Sequence, residues 1–104
     1  MTTIDVGKDF SRFPSGRYAA NGTTSGEAFR NNVLVPALRN TQGKIQILLD
    51  NTVGYGSSFL EETFGGLVRL GFDPATLLGR FDLVSNDGSL LEEIREYITD
   101  RVVH

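Results

Sequence analysis

Apolar residues along the chain follow two spacings, one typical of strands and one typical of amphipathic helices. The clearest strand prediction is residues 45–49, a short apolar run that ends at Asp50. Three further strands are predicted from weaker alternation, at residues 3–6, 17–20 and 80–84. Each is bounded by polar or glycine-rich stretches, so the chain divides into short elements joined by compact turns.

Helix starts are marked between these strands. Three have the S/T-x-x-E spacing of a capping box, and the fourth is an aspartate followed by proline. They are Thr24 with Glu27, Ser58 with Glu61, Ser89 with Glu92, and Asp73-Pro74. Apolar residues then recur at helical spacing, as in the C-terminal helix with Leu91, Ile94, Ile98 and Val102. The pair Gly65-Gly66 within a helix predicts that one helix face lies close to the sheet.

The predicted order of elements is β-β-α-β-α-(α)-β-α. Strands that alternate with helices indicate an α/β fold with a largely parallel sheet. The N-terminal pair of strands predicts a small mixed sheet of about four strands, with helices mainly on one face. A length of 104 residues with 39% apolar content fits a single domain over residues 1–104.

Composition and charge narrow the classes of partner. The net charge is −3 with ten scattered Lys and Arg residues, which argues against nucleic acid as a partner. The chain has no cysteine, and no apolar run approaches the length of a membrane span. Without a signal-peptide pattern, we expect a cytoplasmic protein that is complete from Met1 and has no membrane association.

Candidate chemistry concentrates after the strongest strand. A glycine-rich turn, residues 53–56, leads into Ser57 and Ser58 at the start of a helix. In α/β folds, this position lies at the carboxyl edge of the sheet, where working sites tend to form. A serine there either caps the helix or receives a phosphate that the helix N-terminus stabilises. Asp50 is a candidate phosphoacceptor, but we expect it to end the strand by accepting hydrogen bonds from turn amides.

Enzymatic chemistry is not predicted. The single histidine is the terminal His104, and the serines lack the G-x-S-x-G elbow of serine hydrolases. No cluster of His, Asp and Glu has the spacing of metal ligands, so neither a metal nor another cofactor is expected. Arg17 and Arg30 are candidate anion-binding residues near the helix start at Thr24, although single arginines are more often surface residues.

Three segments, residues 13–17, 24–30 and 57–65, together with the order of elements, resemble the STAS domain of bacterial anti-sigma-factor antagonists. The similarity is closer still to a STAS-like family of bacterial proteins, and it spans nearly the whole chain. In the antagonists, a partner ATP-binding kinase phosphorylates a serine at the start of the second helix. The resemblance implies that Ser58 is the matching serine, with Ser57 second, and that Gly56 and Phe59 replace the flanking aspartate and glycine.

The resemblance implies a regulatory protein-binding domain of the antagonist type, with serine phosphorylation as a candidate switch. The implied partner is an anti-sigma or histidine-kinase-like ATPase. The loop after the central strand and the exposed face of the next helix would form the docking surface, with Asp50, Tyr55, Gly56, Glu61, Glu62 and Arg69. The alternative is a sensory module that binds a small ligand or a nucleotide without phosphorylation.

Overall fold

The computed structural model describes residues 1–99. In chain order, its elements are β1 (Thr2–Asp5), α1 (Val6–Asp9), a 3₁₀ turn (Ala19–Asn21), the long helix α2, β2 (Ile45–Leu48), the long helix α3, α4 (Pro74–Arg80), β3 (Phe81–Val84) and α5 (Gly88–Thr99). Helix α2 comprises Gly26–Phe29, Arg30–Leu34 and Val35–Asn40, and helix α3 comprises Ser57–Leu60, Glu61–Gly65 and Gly66–Arg69. The predicted core position Val102 lies outside the described residues.

The three strands form one parallel sheet in the order β1-β2-β3. Ile4 pairs with Ile47, which in turn pairs with Leu83, so these three side chains share one face. The prediction of an α/β fold with a small sheet is confirmed. The prediction of a mixed sheet with a second N-terminal strand is wrong for the part of the chain described here, where all pairing is parallel.

The segment predicted as that strand, residues 17–20, instead lies along the start of α2. The amides of Gly26 and Glu27 donate to the carbonyls of Gly16 and Arg17, at 2.9 and 3.0 Å. Ala19–Asn21 then forms a 3₁₀ turn. The carbonyls of Gly16 and Arg17 and the amide of Ala19 are therefore bonded to the first turn of α2 and not to a neighbouring strand.

The two faces of the sheet differ in burial. Ile45, Ile47 and Leu49 are buried in the core, whereas Gln46 and Leu48 on the other face are only half-buried. Helices α2 and α3 supply the other half of the core, including Phe29, Phe64 and Leu67, each no more than 1% exposed. No helix in residues 1–99 combines the length and apolar character needed to cross a membrane.

Both long helices contain a π-helical turn, Arg30–Leu34 in α2 and Glu61–Gly65 in α3. A π turn holds one more residue than an α turn, and such turns often occur at functional sites. The two turns contact each other through Arg30 and Glu62. Nothing in the apolar pattern of the sequence predicted these extra residues.

Three of the four predicted helix caps are displaced. Ser25, not Thr24, caps α2 by accepting a hydrogen bond from the amide of Ala28, and Glu27 accepts from the amide of Ala19. Asp87, not Ser89, caps α5 by accepting from the amides of Ser89 and Leu90. Ser58 is not a cap, because α3 begins at Ser57 after an N-cap glycine, Gly56.

Only the cap at Asp73 is as predicted. Its carboxylate accepts from the amide of Thr76 at 2.9 Å, and Pro74 occupies the first helical position.

Candidate functional site

A cleft of about 710 Å³ lies at the carboxyl edge of the sheet. One wall is the loop between β2 and α3, and the other is the loop after β3 with the first turns of α5. The lining residues are Leu49, Asp50, Thr52, Val53, Gly54, Tyr55, Asn86, Asp87, Gly88, Ser89, Leu90 and Glu93. Ligand sites of parallel α/β sheets form at this edge, because the loops that follow adjacent strands converge there.

Asp50 links the two walls of the cleft. Its carboxylate accepts a hydrogen bond from the Ser85 hydroxyl at 2.6 Å and from the amide of Asn86 at 2.7 Å. Of the turn amides that Asp50 was expected to bind, it accepts from one, that of Asn86. Its partners belong to the loop after β3, not to its own turn, so Asp50 ties the ends of two neighbouring strands together.

Tyr55 braces the loop from the side of the core. Its hydroxyl donates to the carbonyl of Leu49 at 2.8 Å, and its ring packs 5.8 Å from that of Phe59. Burial raises the pKa of Tyr55 to about 12. A tyrosine held in this way stays neutral at physiological pH and fixes the loop.

Phe59, which replaces the glycine of the antagonist motif, is 1% exposed. It belongs to an aromatic cluster with Tyr55, Phe10 and Phe29. The ring of Phe59 is therefore part of the core. The surface at the start of α3 is formed by the residues that precede it.

Ser57 and Ser58 are exposed in the first turn of α3. The predicted capping box between Ser58 and Glu61 does not form, because Gly56 is the N-cap and makes no side-chain bond. Glu61 is instead held by two arginines. The Ser58 hydroxyl therefore does not cap the helix, and the prediction that it does so is wrong.

The remaining predicted site residues form a cluster of charges, which we call the arginine–glutamate cluster. It consists of Arg17, Arg30, Glu61, Glu62 and Arg69. Arg30 donates to the Glu62 carboxylate at 2.6 Å and to its backbone carbonyl at 3.0 Å. Arg17 and Arg69 bind Glu61 at 2.5 and 2.6 Å.

This geometry changes the expected roles of these residues. Glu62 was predicted on an exposed helix face, but it is 8% exposed and buried against Arg30. Arg30, a candidate for binding anions, is 7% exposed and already paired. Glu61 and Arg69 retain partial exposure, and Arg17 is bound to both glutamates.

The ion pairs shift the pKa values of the more exposed residues of the cluster, Arg17, Glu61 and Arg69. The hydrogen bond from Arg69, reinforced by one from Arg17, holds the pKa of Glu61 below its ordinary value. The same contacts raise the pKa of Arg17 and of Arg69. All three groups are therefore charged over the physiological range, and the cluster carries two negative and three positive charges.

Two residues of the cleft, Asp87 and Glu93, were missed from the sequence. Glu93 accepts a hydrogen bond from the Tyr97 hydroxyl at 2.7 Å, and burial is the main cause that raises the pKa of Tyr97. A hydrogen bond with the Ser57 side chain has the opposite, smaller effect and lowers the pKa of Tyr97. Asp87 was detectable as the residue before Gly88-Ser89.

The described residues contain no group of three His, Asp, Glu or Cys side chains that could hold a metal ion. The single histidine of the chain, His104, lies outside the part of the chain described. The polar groups of the cleft are carboxylates, hydroxyls and amides, which suit recognition by hydrogen bonds and charge.

A family model described as a STAS-like domain of unknown function (DUF4325) matches residues 25–91, well over half of the chain. The chain belongs to this STAS-like family. Searches of curated proteins and of solved structures each gave no match. The family-level resemblance predicted from the sequence is confirmed, and the matched range includes Asp50, both serines and most of the cleft.

Proposed function

We propose that this STAS-like domain is a regulatory protein-binding domain of the anti-sigma-factor-antagonist type, switched by phosphorylation of Ser58 by an ATP-binding kinase partner. The observation that carries the proposal is the position of Ser58. Its side chain is exposed in the first turn of α3, and its hydroxyl is not used to cap the helix. Ser57, also exposed, is the second candidate.

The surroundings of Ser58 are compatible with a phosphate. A group at the start of a helix lies close to unpaired backbone amides and to the positive end of the helix dipole. Glu61 and Glu62, three and four residues later, would repel it if they were free. They are instead paired with Arg17, Arg30 and Arg69, which outnumber them and reduce that repulsion.

The docking surface we propose surrounds these serines and the adjoining loop. Asp50, Gly56 and Arg69 are exposed, and Tyr55 supports the loop from beneath. Two exposed apolar side chains extend this surface, Val53 at 69% and Phe13 at 64% exposure. They lie near each other, since the Val53 amide donates to the carbonyl of Arg12 at 2.9 Å. Exposed apolar residues of this kind are typical anchors in protein interfaces.

The test is incubation of the full chain with the ATPase encoded nearest its gene and ATP, followed by mapping of phosphosites by mass spectrometry. We expect modification of Ser58, none in Ser58→Ala, and unchanged modification in the matched control Ser89→Ala. Phosphorylation adds about −1.5 to −2 charge, so Ser58→Asp should bind the ATPase more weakly than the wild type. Unmodified Ser57 and Ser58, with equal affinity for wild type and Ser58→Asp, would contradict the switch.

We also propose that the domain has no catalytic activity of its own. The Ser89 hydroxyl donates to Asp87 at 2.7 Å, and this bond, with those from the amides of Leu90 and Ser89, holds the pKa of Asp87 below its ordinary value. A carboxylate with a lowered pKa is a weak general base for a serine. The purified protein should not turn over generic ester or phosphoester substrates. Hydrolysis that follows the protein through purification and is lost in Ser58→Ala would refute this proposal.

A sensory module for a small ligand is the second candidate function. The cleft volume of about 710 Å³ falls within the range of small-molecule sites. A nucleotide is the less favoured ligand, because the described lining supplies Asp50, Asp87 and Glu93 and no lysine or arginine to meet phosphates. Titration with ATP and GTP, followed by calorimetry, tests this candidate, and binding at micromolar concentration would support it over the protein-binding role.

A further inference from the structure

The cleft at the carboxyl edge has a one-sided charge. Asp50 lies on the wall after β2, and Asp87 and Glu93 lie on the wall formed by α5 and its preceding loop. The described lining contains no lysine or arginine. Within residues 1–99, none of the three carboxylates forms an ion pair, in contrast to Glu61 and Glu62.

The hydrogen bonds of these carboxylates leave their charge uncompensated. Asp50 accepts from a hydroxyl and an amide, Asp87 from the Ser89 hydroxyl and two amides, and Glu93 from the Tyr97 hydroxyl. All these donors are neutral. Each carboxylate has further lone pairs, so it can accept another hydrogen bond from a cationic group without breaking those it has.

The N-terminus of α5 does not make the cleft attractive to an anion. Helix N-termini attract anions through their free amides. Here, the Asp87 carboxylate already accepts from the amides of Ser89 and Leu90. An incoming phosphate or carboxylate would therefore face Asp87 and not the unoccupied end of a helix.

The cleft also has an apolar component beside its acids. Leu90 and Tyr55 contribute apolar surface to its lining. Val53 belongs to the same lining and has 69% of its surface exposed. A ligand that fits the cleft must therefore combine positive charge with apolar surface next to it.

We propose that the cleft receives a segment of a partner protein that carries a lysine or arginine next to an apolar side chain. The cationic group lies between Asp50 and Glu93, and the apolar side chain covers Val53. This inference rests on the proposed protein-binding function and specifies the chemistry of the partner. Charge complementarity favours a basic segment over an acidic one. An apolar side chain of the partner would also cover Val53, which a small inorganic cation would leave exposed.

The first test uses two synthetic peptides, one alternating lysine and leucine and one with glutamate in place of lysine. Each is titrated into the isotope-labelled full chain at low salt, and backbone amide shifts are recorded. We expect the lysine peptide at millimolar concentration to shift the amides of Val53, Gly54 and Gly88. The glutamate peptide should leave them unchanged. Shifts of equal size with both peptides, or none with the lysine peptide, would overturn the inference.

The second test removes two of the acids while keeping their shape, in the pair Asp50→Asn and Glu93→Gln. We expect the dissociation constant of the lysine peptide to rise about fivefold, the effect of two exposed charge pairs. The matched control pair, Asp82→Asn and Glu96→Gln, removes the same net charge from exposed positions outside the cleft lining. Equal losses of affinity in the two variants would show that the net charge of the protein alone attracts the lysine peptide, and they would contradict the proposed site.

The failure of this inference is distinguishable from failure of the proposed function. If the ATPase binds the domain but the Asp50→Asn, Glu93→Gln variant binds it equally well, protein binding stands and the cleft inference fails. If amide shifts at Val53 and Gly54 follow ATP instead of the lysine peptide, the cleft is a nucleotide site and the inference is wrong.

Discussion

The arginine–glutamate cluster and the cleft use the same kind of charged group in opposite ways. In the cluster, Glu61 and Glu62 meet three arginines, and the pair of Glu62 with Arg30 is buried. In the cleft, Asp50, Asp87 and Glu93 have only neutral partners in the described residues and remain open to solvent or half-buried. The carboxylates of the cluster hold two helices together, whereas those of the cleft are available to another molecule.

A helical pattern that predicts an exposed glutamate does not tell whether that glutamate forms an ion pair within the fold or stays open to another molecule. Glu61 and Glu62 were predicted on the exposed face of a helix, and Glu93 also lies on a helix. What distinguishes them is whether an arginine from a distant part of the chain reaches them. Arg17 and Arg30 lie 45 and 32 residues from Glu62 and contact it across the fold. Stability measurements should therefore respond to the cluster far more than to the cleft.

Removal of Arg30 should give the largest effect. Arg30→Met leaves the buried Glu62 carboxylate without its closest cation and should cost about 3 kcal/mol of unfolding free energy. Arg17 and Arg69 remain within 3.4 Å of Glu62 and limit the loss. Denaturant unfolding measures the change. The matched control is Arg95→Met on the exposed face of α5, for which a change within about 0.5 kcal/mol is expected, and equal costs would contradict the structural role of the cluster.

A methyl group at Gly66 should disturb the same contact from the other side. A Cβ there would meet the Arg30 guanidinium, which is pinned by Glu62 and cannot move freely. We expect Gly66→Ala to destabilise by about 2 kcal/mol, as overpacked sites do. Gly79→Ala in α4 is the control, because nothing lies within 4 Å of its Cβ. Thermal unfolding should show Gly79→Ala unchanged or slightly stabilised, because alanine favours a helix by up to about 1 kcal/mol over glycine. A Gly66→Ala variant as stable as Gly79→Ala would contradict the close contact with Arg30.

The two serines at helix starts should respond differently. Ser25→Ala removes a cap that bonds the Ala28 amide at 3.1 Å and should cost about 1 kcal/mol. Ser58→Ala should change the unfolding free energy by less than about 0.5 kcal/mol, because Ser58 caps nothing. A loss at Ser58 as large as that at Ser25 would restore the capping role.

Acid should reveal the smallest effect. Because the pKa of Glu61 is lowered in the folded state, its ion pairs stabilise the fold above the ordinary value of 4.5. That contribution is lost as the pH falls through the lower, folded value. Glu61→Gln removes it at every pH, so the unfolding free energies of wild type and variant should differ at neutral pH and converge as the pH falls below 4.5. A difference that does not shrink below that pH would contradict the shift.

The sequence predicted local features well where the determining residues are neighbours. The strand at Ile45–Leu48 and the cap at Asp73 both follow from adjacent residues. The serines at the start of α3 and Asp50 at the end of β2 were placed at the carboxyl edge for the same reason.

Prediction failed where a distant partner decides the outcome. The S-x-x-E pattern at Ser58 predicts a capping box, but Gly56 is the N-cap and Glu61 is paired with Arg17 and Arg69. The pair Gly65-Gly66 was expected to bring α3 close to the sheet, whereas Gly66 makes room for Arg30 of α2. Residues 17–20 alternate weakly like a strand, but their backbone pairs with the start of a helix.

The facing π turns also set how the chain tolerates changes in length. Each residue of a helix advances the direction of its side chains by about 100°. Because a π turn holds one more residue than an α turn, a one-residue deletion within Glu61–Gly65 that converted it to ordinary helix would leave Phe59 and Leu67 both facing the core. A one-residue deletion elsewhere in α3 removes no extra residue and would rotate one half of the helix against the other. Relatives should therefore lose or gain a residue between their equivalents of Phe59 and Leu67 more readily than elsewhere in this helix.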